Sequence, residues 1–218
     1  MEQIFPGIWQ KGRQLLTKNL VPGFRSYTET LSKIRGVEYR IWDPTRSKAA
    51  AAIVKGIKDF PLKPDVKILY LGAAQGYTPS FFSDIVGKDG IIYGIEVSGR
   101  AIRELNPVAE KRGNIVPILA DARKPQDYTW IEPADILYQD VAIPDQSEIL
   151  IRNARVFLKP DGFAMIAIKS RSIDVVRPPQ QIYKEELKKL SEYFKVLDKK
   201  ELDPYEKDHM FVVMKPKA

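Results

Sequence analysis

Apolar positions along this chain fall into two patterns, and the change between them divides it. From residue 64 onward, short apolar runs alternate with longer mixed stretches. A short apolar run bounded by turn residues reads as a buried strand, and a longer amphipathic stretch as a helix. Strands are predicted at 66–71, 91–95, 115–119, 134–139 and 163–168, and helices at 78–86, 98–112, 147–158 and 179–194. Thr78 is the expected N-cap of the first of these helices, with Pro79 at its first position. Two closing strands, 195–202 and 209–215, stand too close in sequence to hold a crossover helix, so they are expected to pair antiparallel. The alternation predicts an α/β domain with a mostly parallel seven-stranded sheet, an antiparallel C-terminal strand and helices on both faces.

Upstream, the pattern is different. Short β-prone runs such as Gly36-Val37-Glu38-Tyr39-Arg40-Ile41-Trp42 are separated by turn signals at Asn19, Pro22-Gly23 and Asp43-Pro44. This predicts a small β-rich lobe over 1–55 ahead of a larger domain over 56–218. Ser47 is placed to cap a helix running through the alanines 49–52, with Gly56 to end it. Charge sharpens the division. The chain carries a net +7. Residues 1–60 hold 11 Lys/Arg against 5 Asp/Glu, whereas the rest is nearly balanced at 24 against 23. A basic lobe attracts phosphate backbones, although a basic surface is also common in soluble proteins. Trp9, Phe24, Tyr27, Tyr39 and Trp42 lie among these basic residues; they are expected mostly in the lobe's core, with RNA stacking as the alternative. There is no cysteine and one histidine, His209. That removes disulfides, thiolate nucleophiles and multi-His metal centres, and predicts an intracellular protein without a metal. No apolar run approaches ~18 residues and no signal peptide is visible, which predicts neither a membrane span nor export.

In an open α/β sheet, ligands bind beyond the carboxyl ends of the strands. The first strand runs into Gly72-Ala73-Ala74-Gln75-Gly76-Tyr77-Thr78, where small residues let backbone approach a ligand at a helix N-terminus. Its G-x-x-x-G spacing is not the dinucleotide fingerprint, and a structural turn reads equally well. The second strand ends at Glu96, 24 residues beyond Gly72, a spacing suited to holding ribose hydroxyls; a solvated strand-end carboxylate is the alternative. Asp121 follows the third strand, either as an acceptor for an adenine amino group or as a helix cap. Asp140 and Lys169 end the fourth and fifth strands and are expected to face each other, in a reacting site or in a plain salt bridge. Together these ends suit a nucleoside-bearing cofactor. Acidic neighbours favour a cationic sulfonium over a pyrophosphate.

Longer motifs surround the same residues. They include Tyr39-Arg40-Ile41-Trp42-Asp43-Pro44-Thr45-Arg46-Ser47-Lys48, Leu71-Gly72-Ala73-Ala74, Ile168-Lys169-Ser170-Arg171-Ser172-Ile173-Asp174 and Pro204-Tyr205-Glu206-Lys207-Asp208-His209. In these stretches the chain closely resembles the fibrillarin family of box C/D ribonucleoprotein 2′-O-methyltransferases in its short archaeal form. The resemblance implies a class I (Rossmann-like) S-adenosylmethionine-dependent methyltransferase fold with a small N-terminal β-rich lobe. It implies a Lys-Asp-Lys-His tetrad at Lys48, Asp140, Lys169 and His209. It implies cofactor contacts at Gly72, Ala73, Ala74, Gln75, Gly76, Tyr77, Thr78, Glu96, Val97, Asp121, Ala122, Asp140 and Gln146. The implied partners are a box C/D guide RNA, substrate rRNA or tRNA, a Nop-domain scaffold protein and a kink-turn-binding protein.

The chain departs from the family in two places. Gln75-Gly76-Tyr77-Thr78 stands where Ser-Gly-Thr-Thr is usual, and Ile143 stands where Gln usually follows Asp-Val-Ala. It carries no Gly/Arg-rich tail of the eukaryotic kind, which points to an archaeal source and a cytoplasmic location. In the implied reaction Lys169 positions the ribose 2′ oxygen or takes its proton, Asp140 orients Lys169, and Lys48 and His209 line the ribose–phosphate entrance. Two other readings remain: an RNA methyltransferase that needs no guide, and a non-catalytic RNA-binding subunit with a decayed cofactor site.

Overall fold

The computed structural model describes residues 1–217. The first five strands, β1 (Glu2–Phe5), β2 (Ile8–Lys11), β3 (Gln14–Lys18), β4 (Leu31–Ile34) and β5 (Val37–Trp42), form one antiparallel sheet in the order β1-β2-β3-β5-β4. Helix α1 (Lys48–Val54) follows, with Ser47 as its N-cap accepting from the Ala50 N–H as the sequence predicts. Then come β6 (Lys67–Leu71), α2 (Tyr77–Val86), β7 (Ile91–Glu96), α3 (Gly99–Arg112), β8 (Ile115–Leu119), β9 (Ala134–Gln139), α4 (Gln146–Phe157), β10 (Leu158–Lys169), the single-turn α5 (Ser170–Ile173), α6 (Pro179–Tyr193), β11 (Phe194–Glu201) and β12 (His209–Pro216). The second sheet has the order β11-β12-β10-β9-β6-β7-β8. Only β12 runs against its neighbours, pairing antiparallel with both β10 and β11. This is the predicted seven-stranded class I arrangement.

Strand alternation explains why the sheet needs cover on both faces. Ile68, Tyr70, Ile136, Tyr138, Met165, Ala167, Phe211 and Val213 point into one core. Leu69, Leu71, Leu137, Ala164, Ile166, Ile168, Val212 and Met214 point into the other, under α4 and α6. A fully buried side chain of this size stabilises by about 1.5–3 kcal/mol. The first core also takes in Ile8, Leu15 and Trp42 of the N-terminal sheet and the four alanines of α1. Trp42 is stacked on Phe81 of α2 at 5.3 Å, so this lobe aromatic is core. Trp9 and Tyr39 pack edge-on within the lobe.

One cap differs from expectation. Helix α2 starts at Tyr77, with Gly76 as N-cap in left-handed backbone and no capping side chain. Thr78 is therefore inside the helix, and its hydroxyl donates to Ser47 Oγ at 2.9 Å. A glycine already turned to φ 93° starts the helix earlier than a threonine cap at 78 would.

Candidate active site

The ends of β6, β7, β8 and β9 open into a cleft of about 230 Å³. Gly72, Ala74, Glu96, Val97, Asp121, Ala122 and Asp140, all singled out in the sequence, line it. Gly72 sits at φ 82°, and a Cβ there would lie 2.4 Å from the Asp140 carbonyl oxygen. Only glycine lets the two strand-end loops meet so closely. Glu96 accepts from the Ala74 N–H at 2.9 Å and from the Ser98 N–H at 2.8 Å. Asp121 accepts from the Arg123 N–H at 2.9 Å, which makes it a turn residue and not a helix cap. Arg123, which the sequence reading passed over, also borders the cleft, and its charge is turned onto Asp145 at 2.6 Å.

Asp140 belongs to the cleft and also to a polar cluster at its end. Its partner is Lys48, with Nζ 3.2 Å from Oδ2. The alternative reading, a plain salt bridge between Asp140 and Lys169, does not form: among the described residues no carboxylate lies within ion-pair distance of Lys169. Lys48 gets there because the Ser47 cap starts α1 at that residue, and because Ser47 is tied to Thr78 of α2. Glu206, 3.8 Å from Lys48 Nζ, is a member the sequence reading missed. Its signal was its place three residues before His209 in a recognised motif. Burial opposes the Lys48 ammonium, but Asp140 and Glu206 outweigh it and hold its pKa above the ordinary lysine value.

Lys169 and His209 are cross-strand partners in the β10–β12 pair, so their side chains share one face. His209 is 6% exposed, and its Nε2 is sealed from solvent without a partner. Its Nδ1 lies 2.7 Å from the Lys207 carbonyl oxygen, which assigns the proton to Nδ1 and leaves Nε2 as a bare acceptor. Burial pushes its pKa below the usual 6.5, and Lys48 adds to the effect. His209 is therefore buried beside Lys169 and presents little surface to solvent.

Six expected cofactor positions do not border the cleft. Ala73 is buried beneath it. Gln75 is exposed on the turn, and Gly76 is buried against Leu105 and the Tyr27 hydroxyl. Tyr77 is turned toward the N-terminal lobe, with the Arg46 guanidinium 4.1 Å from its ring centre and the Tyr27 ring at 5.8 Å. Thr78 is engaged with Ser47. Gln146 is fully buried. It accepts from the Lys169 N–H at 2.9 Å and donates to the Lys169 and Ile143 carbonyls, both at 3.0 Å. Both amide hydrogens are thus taken, and the side chain locks the backbone of Lys169.

The sequence model of the family described as Fibrillarin matches residues 1–218. A curated relative from Pyrococcus furiosus, the fibrillarin-like rRNA/tRNA 2′-O-methyltransferase, is 53% identical over 97% of this chain and 96% of its own. Among solved structures, Aeropyrum pernix fibrillarin with natively bound S-adenosyl-L-methionine has a TM-score of 0.86 at 47% identity, covering 92% of this chain and 88% of that one. A fibrillarin in complex with Nop5p has a TM-score of 0.90 at 38% identity, covering 99% of this chain and 100% of that one.

Proposed function

Because the chain belongs to the fibrillarin family, we propose that it is an RNA 2′-O-methyltransferase that uses S-adenosylmethionine to modify rRNA and tRNA. Box C/D guide RNA selects the target, a Nop-domain protein docks the enzyme, and a kink-turn-binding protein completes the particle. The observation that carries the reading is the double membership of Asp140. It lines the cofactor cleft and is also the partner of Lys48. The same strand end thus joins the place for a cofactor to the place for a reacting hydroxyl.

The cleft suits this cofactor. Glu96 and Asp121 offer carboxylates to ribose and adenine and to a cationic centre, and the glycine pattern of a pyrophosphate site is missing. When bound, S-adenosylmethionine supplies a methyl group carried on a positively charged sulfur. Glu96 holds the ribose hydroxyls and Asp121 the adenine end. Lys169 holds the substrate's 2′ oxygen and stabilises the negative charge that grows there as its proton passes to solvent water. Gln146 fixes the Lys169 backbone from both sides. Neutral His209 adds no competing charge beside Lys169. Lys48, neutralised by Asp140 and Glu206, faces the ribose–phosphate chain.

The test is Lys169→Ala in a particle reconstituted with guide, scaffold and substrate. Methylation is expected to fall about 10²-fold or more, a size typical of one lost electrostatic group, while S-adenosylmethionine binding stays intact. Turnover near the wild-type rate would remove Lys169 from the mechanism.

A further inference from the structure

The turn over 72–76 alternates into left-handed backbone at Gly72 (φ 82°), Ala74 (φ 47°) and Gly76 (φ 93°). Alanine disfavours that region, and a glycine-flanked peptide flips easily, so something must hold this conformation. Most restraints come from the large sheet. The N–H groups of Gly72 and Ala73 reach the Ile95 carbonyl at 2.9 and 3.1 Å, and Glu96 takes the Ala74 N–H. The Gln75–Gly76 peptide is held differently. Its N–H donates to the Ala73 carbonyl at 2.9 Å, and its carbonyl accepts from the Tyr27 hydroxyl. Among the described residues this is the one hydrogen bond that reaches the turn from the N-terminal lobe.

Tyr27 is itself firmly carried. Glu29 accepts from the Ser26 and Tyr27 N–H groups, each at 2.8 Å, and is paired with the buried Arg40. The phenol lies over Gly76, where an added Cβ would come within 3.1 Å of its oxygen and 2.3 Å of Leu105 Cδ1. Burial and the Glu29 carboxylate raise the phenol's pKa, so it stays a donor at any working pH.

We propose that Tyr27 is a positioning residue for the cofactor: it pins the Gln75–Gly76 peptide from the lobe and so keeps the turn in its ligand-binding shape. The proposal rests on the reading of the cleft as an S-adenosylmethionine site. Glu96 has to serve both the turn and the ligand, whereas the Tyr27 bond lies outside the cleft and is untouched by the ligand. The N-terminal lobe thus contributes to cofactor affinity without touching the cofactor.

The experiment is Tyr27→Phe, which keeps the ring and removes the hydroxyl. S-adenosylmethionine binding to the full chain is measured by titration calorimetry, and turnover at saturating cofactor in the reconstituted particle. Losing one hydrogen bond predicts a Kd raised about three- to tenfold, with kcat unchanged and the thermal midpoint lowered by no more than about 2–6 °C. An unchanged Kd overturns the proposal. So does a weakened Kd that comes with an equal loss of kcat and a midpoint lowered well beyond that, which would mark a purely structural tyrosine. If the wild-type chain itself binds no S-adenosylmethionine, it is the methyltransferase reading that fails, together with what rests on it.

Discussion

Two charged clusters, one along α2 on its lobe side and one at the end of the cleft, are built in opposite ways. On the lobe side, Arg40, Glu29 and Asp84 have no exposed side-chain surface, and Arg112 joins them from α3. Every group there is used. Asp84 accepts from Arg40, from Arg112, from the Thr17 hydroxyl at 2.6 Å and from the Leu20 N–H at 2.9 Å. Arg40 also reaches the Ser80 carbonyl and hydroxyl and lies 4.0 Å over the Phe81 ring. On the cleft side, Lys48 and Asp140 are 20% and 23% exposed, their pairing is a single 3.2 Å contact, and His209 Nε2 has no partner. A saturated buried network can only hold a shape. A cluster with spare valence and access to solvent can take a ligand. Charge type and count are similar in the two; what separates function from scaffold is how much bonding capacity is left over.

The sharpest way to break that contrast is Asp84→Ala. It leaves Arg112 buried without a carboxylate and Arg40 with Glu29 alone, and destabilisation of about 3–5 kcal/mol is expected, read from urea denaturation. A loss near 1 kcal/mol would mean the network is not the scaffold described. The cleft cluster should respond to pH instead. The folded pKa of His209 lies below 6.5. Between that folded value and 6.5 the unfolded chain binds the proton first, so stability falls as pH drops through this window and levels off beneath it. Methyl transfer should fall too, once His209 gains charge beside Lys169, giving an acid limb below pH 6.5 in kcat. His209→Gln should remove the limb, and a limb that persists assigns it to another group. The smallest effect is expected at Arg100, 84% exposed and paired with Glu104 one turn on. Arg100→Ala should change stability by about 0.5 kcal/mol at most and leave methylation alone.

Much of the fold was legible because burial imposes its own pattern. The strands at 91–95, 115–119 and 134–139 agree with β7, β8 and β9 to within a residue, because each is a short, mostly apolar run bounded by turn or polar residues. The short α5 was not legible, since four residues carry no period. The N-cap of α2 was misplaced because a left-handed glycine competes with a threonine for that role. At the site, the positions bordering the cleft were readable as residues that follow strands. Glu206 was not, because it lies in a loop whose approach to Lys48 depends on β11 and β12 folding back against β10.

The sequence by itself determined the order of elements, the face of the sheet that carries chemistry and the residue types gathered there. It did so through local periodicity and through motifs continuous along the chain. The tertiary structure decided which of those residues touch. Asp140 pairs with Lys48 from α1 and not with its strand neighbour Lys169. Gln146 binds backbone, Tyr77 turns to the lobe, and His209 is buried beside Lys169. Each of these is a contact between segments remote in sequence, set by how two sheets and their helices share a core, and no spacing along one chain encodes such a distance.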